Sequence, residues 1–188
     1  MSGVCLVLTG PTLDDCRRQL QESDDHIDLA EVRADLLERA EWAGLNAFSL
    51  SAGIPLILTL RQPRDGGKWS GSEGERRAFF KVALEGAWSW LDLEDDQRLP
   101  DLEEVWLSRG RQLVISFHDF DGVPDGWAAR LQAAQGQGLV AKAAVFPKNS
   151  ADFLQFLFMF DKRHQSHTML LSQNFQVVKH SGSSAMKP

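Results

Sequence analysis

A lysine at position 142 interrupts an apolar run, GLVAKAAVFP (Gly138 to Pro147), that otherwise reads as a buried strand. Taking an ammonium out of water is costly unless the group is paired or gives up its proton. Lys142 is therefore either a strand-end lysine whose head snorkels to solvent or a chemical tool. An amine that is desolvated, or set near cations such as Arg33 and Arg61, gains neutral fraction near pH 7 and can attack a ketone to form a Schiff base. The iminium is an electron sink that acidifies the neighbouring C–H. His118, one strand earlier, has the free pKa of a general base for that proton.

Strand parity adds to this set. Residues two apart on a strand share a face, so Glu31 goes with Arg33, Thr59 with Arg61, Ser116 with His118 and Val140 with Lys142. The polar members lie toward strand C-termini, where parallel α/β proteins place their active sites. Taken singly, each has a plainer reading: His118 as a satisfied loop residue, Glu31 and Arg33 as a structural ion pair. It is their joint occurrence on four strands that points to a site. Asp65, four residues after Arg61, could reach His118 at a barrel mouth and hold its ring, or could simply open the DGG turn. The glycine-rich loop QPRDGGKWSGSEGE does not cradle a nucleotide phosphate in the GxxxxGK[ST] manner, because Lys68 is followed by Trp69.

The elements that must position these residues alternate along the chain. GVCLVLTG, HIDLAEVRAD, IPLILTLR, WLDLE, RQLVISFHDF, LVAKAAVF and HTMLLSQ read as strands. Helical segments separate them, including AEWAGLNAFSLSAG and SADFLQFLFMFDKRH, the latter with Ser150 as N-cap. Such alternation implies right-handed βαβ units and a parallel sheet, either doubly wound or a (β/α) barrel. Residues 1–173 form this domain and 174–188 an irregular or disordered tail.

Composition narrows the function. The chain has 188 residues, 43% hydrophobic and 24% charged, with a net charge of −6 and no Lys/Arg block. That is an ordinary globular balance without the basic footprint of a nucleic-acid or anionic-membrane surface. Cys5 and Cys16 make neither a four-ligand zinc site nor a disulfide framework, which fits a reducing cytoplasm. VCLVLTGP is too short for a signal-peptide core or a membrane span, and FLQFLFMF, broken by Gln155, reads as the buried face of a helix.

DLAEVRADLLE, IPLILTLRQPRDGG, LDLE, LVISFHDFDGVP and VAKAAVFP, in this order, resemble the type I 3-dehydroquinate dehydratases. The resemblance covers roughly Val4 to Thr168. It implies a (β/α)8 TIM barrel, here incomplete with about seven strands, using neither a metal nor a dissociable cofactor. The implied reaction is a hydro-lyase step of the shikimate pathway of aromatic amino acid biosynthesis, a Schiff-base-mediated syn elimination of water from 3-dehydroquinate to 3-dehydroshikimate. Lys142 would form the Schiff base, His118 would act as base and then acid, and Asp65 would stand where the family has a glutamate assisting the histidine. Glu31, Arg33, Arg61 and Met169 would contact substrate. The implied setting is cytoplasmic, and homodimers are common in the family. The family continues past this chain's last residue with an SR pair, whose arginine clamps the substrate carboxylate, and a closing loop; neither occurs here. The alternative is a catalytically inactive, truncated barrel acting as a binding or interaction module. Another Schiff-base lyase or class I aldolase would keep Lys142 but explain SFHDF and TLR less well.

Overall fold

The computed structural model describes residues 4–23, 26–137, 139–154 and the strand at 168–172. Strands and helices alternate as β1 (Cys5–Leu8), α1 (Leu13–Glu22), β2 (Leu29–Arg33), α2 (Leu45–Ser51), β3 (Leu56–Thr59), α3 (Glu73–Ala83), β4 (Trp90–Glu94), α4 (Pro100–Ser108), β5 (Gln112–Asp119), α5 (Trp127–Gly136), β6 (Val140–Val145) and β7 (Thr168–Ser172). These are the seven strands the sequence pattern predicts. The tail at 174–188 lies outside the described residues.

The chain divides into two compact units, one over Val4–Val114 and one from Ile115 onward. In the first, β1 pairs with β2, β2 with β3 and β3 with β4, all parallel. Register aligns Arg33 with Thr59 and Thr59 with Asp92, so these side chains share one face of the sheet with Glu31, Glu94 and Arg61. The other face is apolar: Ala30, Val32, Leu56, Leu58, Leu91 and Leu93 are all buried. A strand buried on both sides loses the usual hydrophobic alternation, which is why IPLILTLR reads as one continuous run.

Local chemistry sets the ends of the elements. Thr12 Oγ1 accepts from Asp15 N–H at the start of α1. Ser72 and Glu75 form a reciprocal capping box on α3, satisfying donors that the first turn leaves unpaired. AEWAGLNAFSLSAG, read as one helix, is instead a 3-10 helix at Arg39–Gly44 followed by α2. Gly44 explains the break: a Cβ there would lie 2.8 Å from Leu13 Cδ1, and glycine weakens a continuous helix by about 1 kcal/mol.

In the second unit, β6 pairs in parallel with β7, aligning Lys142 with Met169. Phe146 N–H donates to Asp119 C=O at 3.0 Å, joining the C-terminal ends of β5 and β6. Helix begins again at 150. Its cap is Asn149 rather than Ser150, since Asn149 Oδ1 accepts from Asp152 N–H at 3.0 Å. The remainder of that predicted helix lies outside the described residues.

Candidate functional site

Lys142 is the third residue of the six in β6, every one of them buried. The sequence reading placed it toward the C-terminal end of its strand; it lies nearer the middle and is 2% exposed. A snorkelling head needs a path to water, so this burial removes the plainer reading. Carried back along a parallel ladder in steps of two, the Phe146–Asp119 bond makes Ser116 the neighbour of Lys142. His118 then lies one pleat further along on the same side. Ser116 is fully buried and His118 half-buried, with the imidazole against Phe120 at 6.4 Å between ring centroids. The alanines Ala141, Ala143 and Ala144 keep the surrounding strand slim. The Met169 side chain lies outside the described residues.

The first unit holds a charged cluster on the polar face of β2, β3 and β4. Arg61, 2% exposed, follows β3. Its Nη2 lies 2.8 Å from Asp92 Oδ2 and 3.9 Å from Glu31 Oε1, and its Nη1 lies 3.5 Å from Glu94 Oε1. Thr59 Oγ1 donates to Glu31 Oε1 at 2.8 Å. Burial works against the Arg61 charge, but Asp92, Glu94 and Glu31 together outweigh it, so its pKa lies above the ordinary arginine value. Burial likewise pushes the Glu94 carboxyl up, against the pull of Arg61 and Arg76.

Arg33 is held differently. Its Nε and Nη2 donate to Asp35 Oδ1 and Oδ2 at 2.9 and 2.8 Å, a two-pronged pair. Asp35 also accepts Arg61 N–H at 3.2 Å and Lys68 N–H at 3.1 Å. One carboxylate thus fixes an arginine, the backbone after β3 and the glycine-rich loop. That loop passes so close to Arg61 that a Cβ on Gly67 would lie 2.0 Å from the Arg61 carbonyl oxygen. Gly67 therefore serves close packing of the loop backbone against the chain after β3. Asp65 sits in the 3-10 turn Pro63–Asp65, where its Oδ2 accepts from Arg64 Nε at 3.2 Å.

Sequence reasoning missed Asp35, Asp92, Glu94 and Arg76. The available signal was parity: Asp35 continues the Glu31, Arg33 series, and Asp92 and Glu94 alternate in WLDLE, which reads as a weak strand by composition alone. Among the described residues no group of three His, Cys, Asp or Glu side chains could hold a metal ion. A cavity of about 650 Å³ opens after β5, between Asp119, Trp127, Gln132, Lys148 and Asp152, and none of the six candidate residues with described side chains lines it.

Parallel strands alternating with helices, with a buried lysine in β6 of one unit and a buried charged cluster on β2 to β4 of the other, define a protein of the α/β class. The family model for type I 3-dehydroquinase matches residues 4–172, and the chain belongs to that family. It is 34% identical over 136 residues to the 3-dehydroquinate dehydratase of Methanothermobacter thermautotrophicus, covering 71% of this chain and 61% of that protein. It is 27% identical over 164 residues to that of Methanococcus maripaludis, covering 85% and 74%. The solved 3-dehydroquinate dehydratase of Geobacillus kaustophilus superposes with a TM-score of 0.78 at 27% identity, over 92% of this chain and 73% of its own. The type I enzyme of Clostridium difficile shares the fold, with a TM-score of 0.79 at 24% identity over 91% and 75%. The chain therefore has the α/β fold of these TIM-barrel enzymes, and the matches span about three-fifths to three-quarters of its relatives.

Proposed function

We propose that this chain is a 3-dehydroquinate dehydratase acting in the shikimate pathway through a Schiff base on Lys142. The observation that carries the reading is Lys142 itself, a lysine 2% exposed in mid-strand within a chain of this family. Lys142 Nζ adds to the C3 ketone and water leaves, giving the iminium. His118 takes the proton from C2, and the electron pair flows into the iminium as an enamine. The enamine expels the C1 hydroxyl, which leaves as water with the proton His118 returns on the same face. Hydrolysis of the product iminium consumes one water, releases 3-dehydroshikimate and restores Lys142, so the net change is loss of one water.

Asp65 orients His118, and Glu31, Arg33, Arg61 and Met169 contact the substrate. Asp92, Glu94 and Asp35 support the reading by supplying counter-charges that order Arg61 and Arg33, since a catalytic group acts only when its own supports are fixed. The enzyme works on a small molecule in the cytoplasm, with no nucleic-acid or membrane partner. No helix among the described residues is long and apolar enough to cross a membrane.

Borohydride added with 3-dehydroquinate reduces the Schiff base and leaves a covalent adduct on the Lys142 peptide, read by mass. Lys142→Met abolishes the adduct. His118→Ala still traps substrate but loses most turnover. A folded protein giving neither adduct nor turnover refutes the enzyme reading and favours a silent binding module.

A further inference from the structure

Arg76 lies in the first turn of α3, on a helix and not on a strand, yet it is 0% exposed. Its Nη2 donates to Glu94 Oε2 at 3.1 Å and its Nη1 to Gln97 C=O at 3.0 Å, with Glu73 Oε1 at 3.4 Å. The guanidinium carbon lies 5.2 Å from the Phe80 ring centroid. Glu94 is thereby divided, its Oε2 bonded to Arg76 and its Oε1 facing Arg61 at 3.5 Å.

This arrangement is expensive as a way of stabilising a core. Arg76 Nε is buried without a hydrogen-bond partner, and an unsatisfied buried donor costs stability. Burying ion pairs is often no better than packing apolar side chains of the same volume. What Arg76 supplies is a second cation for Glu94 beside Arg61. Without it the Glu94 carboxylate would lose its Oε2 anchor and could swing away from the position from which its Oε1 faces Arg61. With it, Glu94 is pinned from behind.

We infer that Arg76 is a positioning residue that acts through Glu94 to fix the Arg61 guanidinium, tying the helix after the glycine-rich loop to a substrate-binding arginine. The inference rests on the proposed function for its kinetic consequence, though not for its structural one. The capping box of Ser72 and Glu75, directly before Arg76, anchors the helix end from which the arginine reaches.

The test has a substrate-free arm and a kinetic arm. In the full chain, exchange of the Arg61 guanidinium protons, read by NMR, rises at least about tenfold in Arg76→Met relative to wild type, and Arg76→Lys restores much of the protection. In turnover assays KM for 3-dehydroquinate rises by about tenfold in Arg76→Met while kcat changes less than about threefold, as for a lost binding contact. Borohydride trapping at saturating substrate persists. Arg76→Met combined with Glu94→Gln is no worse than Glu94→Gln alone, because the two residues act in series. Should Arg76→Met fail to fold, Glu94→Asp, whose shorter arm cannot span both arginines, shows the same rise in exchange. Unchanged Arg61 exchange in the folded variants, or additive effects in the double variant, overturns the inference. If wild type neither traps nor turns over substrate, the proposed function falls while the exchange arm still decides the role of Arg76.

Discussion

Replacing Asp35 with asparagine tests the charged scaffold most sharply, because it changes no shape and removes only charge and two acceptor sites. The Asp35 side chain has no exposure, and its two oxygens accept four hydrogen bonds. Asparagine keeps one oxygen and turns an NH2 toward donors. In one orientation it loses Arg33 Nη2 and Lys68 N–H; in the other, Arg33 Nε and Arg61 N–H. Either way one bond from Arg33 and one from a backbone N–H go, both charge-assisted because the acceptor is a carboxylate, together worth about 3–6 kcal/mol. For a chain of this size that lowers Tm by roughly 6–24 °C. Urea unfolding measures the loss as a lower midpoint at unchanged slope. A loss below about 1 kcal/mol refutes the reading of Asp35 as the hub joining Arg33, the backbone after β3 and the loop.

Three other outcomes follow from the same geometry. Lys142→Met ends adduct formation while keeping a cooperative urea transition, because an unbranched apolar side chain of similar length fills the same buried strand position. Gly67→Ala costs about 1–3 kcal/mol by the same measurement, since its Cβ meets backbone that cannot yield. Hydrogen bonds from Ser72 backbone and hydroxyl hold the Glu75 carboxyl below its ordinary value of 4.5. A depressed carboxylate contributes stability above the unfolded pKa and loses it as pH falls through the folded one. Stability therefore declines on acidification below about pH 4.5 partly through this cap, and Glu75→Gln flattens that part of the Tm-against-pH curve.

The alternation of elements was legible from sequence because hydrophobic periodicity and capping residues are local properties. Seven strands and the parity of Glu31 with Arg33 and of Ser116 with His118 could all be read from residues close together in the chain, whereas the Ser72–Glu75 cap of α3 fell within the segment read as a loop. The motifs around Lys142 and His118 likewise pointed to the family. Partner choice was not legible. Arg33 pairs with Asp35 two residues on, whereas Arg61 is held by Asp92 and Glu94 some thirty residues later, and only parallel strand register brings the latter together. Arg76 was invisible for the same reason, as a helical arginine between Glu75 and Arg77 looks solvated until packing buries it. The identity of the chemistry thus lay in residue type and spacing, which the chain carries locally. The burial of Lys142 and the neutralisation of Arg61 were decided by tertiary structure, because desolvation and long-range ion pairing exist only once distant segments have packed.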